Sequence, residues 1–89
     1  MNIFEGLEKY RKMNTLKRLL PNGLDYPLAL KLLQTLNFDL CLINVELAEE
    51  ADEIPYEIIE RLPFSVYELT DEERKLLEDV CLEYIPRSI

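Results

Sequence analysis

Eighteen carboxylates and no histidine set the chemistry open to this 89-residue chain. Two carboxylates held close together can hydrolyse glycosides. Eighteen acids in so short a chain make many close pairs, so proximity alone carries no meaning. Histidine is the commonest general acid/base and metal ligand, and its absence removes most proton-transfer and zinc chemistry. Ser65, Ser88, Thr15 and Thr70 stand in no nucleophile motif. Glycine occurs only at Gly6 and Gly23, which excludes phosphate-cradling and dinucleotide fingerprints. A di-iron carrier would need Glu-x-x-His, and a calcium loop would need alternating Asp/Asn ligands around a glycine. The segment 46–57 offers neither. No catalytic residue, cofactor or metal is expected, and the chain is not expected to be an enzyme.

The acids are sorted by position. Residues 1–31 carry six bases and three acids, a net of +3. Residues 32–89 carry four bases and fifteen acids, a net of −11. From Glu46 to Glu60 there are seven acids (Glu46, Glu49, Glu50, Asp52, Glu53, Glu57, Glu60) and no base. Such a field governs solubility and choice of partner, not fold. It is either a solvated surface or a docking face for a basic protein. Dense carboxylates raise association rates with a cationic cleft and set register. Proteins that block nucleic-acid enzymes place carboxylates where phosphates would lie.

Tyrosine is favoured at interface hot spots. Tyr56 and Tyr67 lie in or beside the acidic half and are the first candidates. Tyr10 and Tyr84 fall on apolar stripes and are expected in the core. The bases of the first helix (Lys9, Arg11, Lys12, Lys17, Arg18) form a solvated face, or meet acids in the same chain or a second copy. Direct nucleic-acid contact is not expected. A pI near 4.5 is the wrong electrostatic footprint. A helix-turn-helix over 28–51 would turn Glu46, Glu49 and Glu50 toward phosphate.

The elements that must position these residues read as amphipathic helices. The first is predicted from Ile3 to Leu19, with Asn2 and Glu5 at capping-box spacing. Its stripe is Ile3, Phe4, Leu7, Tyr10, Met13, Leu16, Leu19 and Leu20. Pro21-Asn22-Gly23 stops it. Asp25 and Pro27 open a second helix carrying Leu28, Leu32, Leu33 and Leu36. The segment 40–51 is read as a helix capped by Asp39, with Ile43, Leu47 and Ala51 inward. The alternative is a strand at 40–45 paired with 64–69. A short helix follows from Pro55 to Leu62, ended by Pro63. Thr70 and Glu73 form a capping box for the last helix. That helix carries Leu76, Leu77, Val80, Cys81, Tyr84 and Ile85 on one stripe, ion pairs Asp71–Lys75 and Arg74–Glu78, and a stop at Pro86.

Fold class is therefore all-α, a compact bundle of four to five short helices in a single domain over 1–89. The alternative is α+β with a two-stranded ribbon from 40–45 and 64–69. Cys41 and Cys81 are expected as buried free thiols in a reducing compartment, with a disulfide as the other reading. No signal peptide or membrane span is visible, so the expected location is the cytoplasm. Val66-Tyr67-Glu68-Leu69-Thr70-Asp71-Glu72-Glu73 resembles the capped helix near the ends of some adenine-specific DNA methyltransferases. It covers eight residues and lacks the family's Asn-Pro-Pro-Tyr type motif, so it implies at most an accessory role.

The expected function is a non-enzymatic, acidic protein-binding module. It would inhibit or regulate a basic partner such as a nucleic-acid-handling enzyme, in the manner of phage inhibitors, antitoxins or immunity proteins. The partner face would be Glu46, Glu49, Glu50, Asp52, Glu53, Tyr56, Glu57, Glu60 and Tyr67. The alternative is a structural or assembly subunit, a homodimer built on an apolar helix stripe such as Leu76, Leu77, Val80 and Tyr84.

Overall fold

The computed structural model describes residues 3–85, with side chains from residue 6 onward. Among the described residues there are five α-helices and one 3-10 turn, and no strand. The helices are α1 (Ile3–Leu19), α2 (Tyr26–Thr35), α3 (Val45–Glu53), α4 (Glu57–Glu60) and α5 (Asp71–Leu82). The all-helical reading holds, and the 40–45/64–69 ribbon does not form. Asn2, the side chains of Ile3, Phe4 and Glu5, and the Pro86 stop lie outside the described residues.

Local chemistry sets the boundaries. Asp25 accepts the Leu28 amide at 3.0 Å and caps α2, with Pro27 in the first turn. At the other end Asn37 takes φ +68°, and the Phe38 amide donates to the Leu33 carbonyl at 3.0 Å. With Asn37 donating to Gln34, this closes a Schellman motif with asparagine in the left-handed position. Thr70 and Glu73 bond each other's backbone amides at 3.1 and 3.0 Å and start α5. Those bonds, with Arg18 as a lesser cause, hold the Glu73 carboxyl below its ordinary 4.5. The stability it contributes is present above that value and is lost as pH falls below it.

α2 is the central element. Five consecutive residues, Ala29 to Leu33, are buried, so this helix is covered on every side. It packs on α5, α3 and α4. Leu77 and Cys81 of α5, Leu47 and Ala51 of α3, and Ile59 of α4 complete one core cluster with Leu36, Leu40 and Val66. α1 touches this body through α5. Its last turn, Leu16 to Leu20, is the part that packs, and Arg18 bonds Glu73 at 2.6 Å.

Several expectations fail in instructive ways. The helix over 40–51 is split in two. Asp39 caps a 3-10 turn over Leu40–Leu42, and Asn44 then caps α3 by accepting the Glu46 amide at 2.8 Å. The 55–62 helix shrinks to the single turn of α4. α5 ends at Leu82, short of the predicted stripe's end. The pairs Asp71–Lys75 and Arg74–Glu78 do not form among the described residues; Arg18–Glu73 does. Tyr10 and Tyr84 are exposed, not core.

Cys41 is exposed as well, because a 3-10 turn advances about 120° per residue and only Leu40 can face inward. Cys81 is buried, and burial pushes its thiol up to about 12. A thiol reagent at neutral pH is therefore expected to label Cys41 in the native protein. Cys81 should react only after denaturant exposes it; equal labelling rates would contradict the packing of α5.

Candidate functional site

The acidic stretch is built from two elements of different character. In α3, Leu47 and Ala51 face the core. At 100° per residue the outward side carries Glu46, Glu49, Asp52 and Glu53, with Glu50 at its flank, all exposed. Two like-charged pairs at i, i+4 spacing result, Glu46–Glu50 and Glu49–Glu53. Among the described residues no ion pair reaches any acid from Glu46 to Glu60. The bases of α1 do not neutralise this stretch: Lys12 pairs with Glu8, and Arg18 with Glu73.

Two of the seven acids are tied to α2. Tyr26 donates its hydroxyl to Glu50 at 2.7 Å, and the Gln34 amide donates to Asp52 at 2.6 Å. Between them Lys31 is buried. Its ammonium donates to the Gln34 side chain at 2.8 Å and to the Ala51 carbonyl at 3.1 Å. α3 has no base in its own last turn, so Lys31 supplies the cation that the negative end of that helix favours. Sequence reasoning missed Lys31 and Gln34, and it did not foresee the bond from Tyr26, a candidate interface tyrosine, to Glu50. The available signal was a lone base inside the Leu28–Leu33 run.

The bond to Glu50 raises the Tyr26 phenol to about 12, with burial and the Glu50 charge adding to it. A phenol raised above its ordinary 10 stabilises the fold fully below that pH and progressively less as pH approaches 12. Urea midpoints are expected to fall across this window, and Tyr26→Phe is expected to fall less steeply. An identical slope in the variant would exclude the bond as a contributor.

The second part of the stretch surrounds α4. Tyr56 and Tyr67, eleven residues apart, meet hydroxyl to hydroxyl at 3.2 Å. That bond is the main cause of the raised Tyr56 phenol, with burial and then the charges of Tyr67 and Glu60 adding to it. Both tyrosines line a hollow of about 560 Å3 between α4 and the 63–68 loop. Leu62, Phe64 and Val66 line its apolar part, and Glu60 and Glu68 its acidic part. Glu57 is exposed at the start of α4.

The fold thus brings Tyr56, Glu60 and Tyr67 together, and separately gathers the α3 glutamates. No hydrogen bond or ion pair among the described residues joins the two groups. Glu50 and Asp52, at the two margins of that face, are both engaged with α2. The alternative stripe on α5 is largely used internally, with Leu77 and Cys81 in the core and Leu76 and Val80 half-buried. Among the described residues no cluster of potential ligands could hold a metal ion. No described helix is long and apolar enough to cross a membrane. No family model, curated protein or solved structure matches the chain.

Proposed function

We propose that this chain is a non-enzymatic binding module that inhibits or regulates a protein with a basic surface, such as a nucleic-acid-handling enzyme. Phage inhibitors, antitoxins and immunity proteins act in this way. The observation that carries the reading is the α3 face. Four exposed glutamates stand together with no ion pair to a base among the described residues, at a local cost to the helix that bears them. A surface kept only for solubility gains nothing from that arrangement; interspersed charge serves it as well. Tyr56 and Tyr67 add exposed aromatic area of the kind that anchors interfaces. The cytoplasm is the location that fits such a partner.

The test is capture from native cell extract, washed at stepped salt, followed by a purified binding measurement. The chain is expected to retain a basic protein at low salt and to release it near 0.5 M, where the Debye length is about 4 Å. Changing Glu49, Glu50, Glu53 and Glu57 to Gln should release it earlier. A partner held equally well by the variant and at high salt would place the docking site elsewhere.

A further inference from the structure

Leu7, Tyr10 and Met13 of α1 are 54%, 64% and 48% exposed. They recur every three residues and share one face of the helix. Gly6 lies on that face, and nothing stands within 4 Å of the place its Cβ would take. The same helical geometry puts Lys17 on the stripe, Lys9 along one edge, and Arg11 along the other. Glu8 and Lys12 point from the opposite side, paired at 3.9 Å. The open face carries Leu7, Tyr10 and Met13 along its N-terminal part, Asn14 and Lys17 toward its C-terminal end, and bases at both edges.

Charge decides what can cover it. A second α1 laid against the first would set base against base along both edges. An anionic lipid surface would suit the helix alone. The remainder of the chain, from residue 20 onward, carries sixteen acids and five bases and would be repelled by such a surface. A groove lined by apolar and acidic side chains fits, and this chain contains one. The hollow beside α4 is lined by buried Val66, half-buried Leu62 and Phe64, and exposed Glu60 and Glu68. No residue of α1 lines it, since α1 rests on α5.

We propose that α1 of one copy docks through Leu7, Tyr10 and Met13 into the Tyr56–Glu68 hollow of a second copy, with Lys9 and Arg11 facing Glu60 and Glu68. Reciprocal docking closes a two-fold dimer. The contact shares Tyr56, Glu60 and Tyr67 with the proposed partner face, so self-association and partner capture compete. It does not require that a heterologous partner exist.

Sedimentation equilibrium of the full chain over a concentration series tests this. The wild type is expected to dimerise, more weakly at 0.5 M salt than at low salt, where the Debye length is longer. Leu7→Ser, Tyr10→Ser and Met13→Ser combined, all at exposed positions, should keep the circular dichroism and melting temperature of the wild type at dilutions where that is monomeric, and weaken self-association about tenfold or more. Glu60→Lys with Glu68→Lys should do the same. An equimolar mixture of the two variants should reach a mean mass above either alone, because each retains what the other lacks. The proposal is overturned by a monomeric wild type, by self-association that either variant leaves unchanged, or by a mixture that gains no mass. Binding of the wild type to phosphatidylserine vesicles without self-association would overturn it in favour of a lipid surface.

Discussion

Replacing Leu77 with alanine is expected to cost the fold about 2–5 kcal/mol, the range for truncating a well-packed core leucine. Leu77 is fully buried on α5, at the contact with α2 that holds the bundle together. α2 is covered on every side by α3, α4 and α5, so the surroundings cannot collapse without moving several helices at once. A chain of 89 residues is expected to be stable by only about 4–13 kcal/mol. The single substitution therefore removes a large share of the total. Urea unfolding is expected to show a lower midpoint at unchanged slope. Leu76→Ala, at a half-buried neighbour, should lose clearly less. A Leu77→Ala loss under about 1 kcal/mol would contradict α2–α5 packing as the centre of the fold.

Neutralising Glu49 and Glu53 together is expected to act with opposite signs on stability and on binding. The two are i, i+4 neighbours on α3, and such like-charged pairs oppose the helix by about 0.2–0.5 kcal/mol. Glu53 also sits at the negative end of the helix, where an acid is unfavourable. Glu49→Gln with Glu53→Gln should thus raise stability by roughly 0.5 kcal/mol in thermal or urea melts. Association with the basic partner should slow about tenfold or more at low salt. A merely solvated surface would show the first effect and not the second. A variant unaltered in binding would remove the case for the face, whatever its stability.

Much of the fold was legible because short polar side chains declare helix ends. Asp25, Thr70 and Glu73 cap where their spacing says they should. Asn44 was overlooked as a cap because it lies inside an apolar run, and it divides what read as one helix. The α1 stripe shows a different limit. Periodicity reveals a face that favours cover; it does not say that the same chain supplies the cover. Leu7, Tyr10 and Met13 satisfy the period as well as Leu16 and Leu19 do, yet only the latter pack into the core. For the candidate site, exposure of the acids followed from the placement of Leu47 and Ala51 on one side of α3. The meeting of Tyr56 and Tyr67 did not, since it depends on the path of an irregular loop. Lys31 was hidden for a related reason: beside Gln34 on its own helix, its partner is the Ala51 carbonyl of α3, twenty residues on.

The most direct test is the association rate of the purified partner as a function of ionic strength, for the wild type and for a Glu46, Glu49, Glu50 and Glu53 to Gln variant. If the carboxylates on the outer side of α3 steer a cationic protein inward, the wild-type rate falls steeply with added salt and the variant's stays low and nearly flat. Parallel curves for the two proteins would contradict the account.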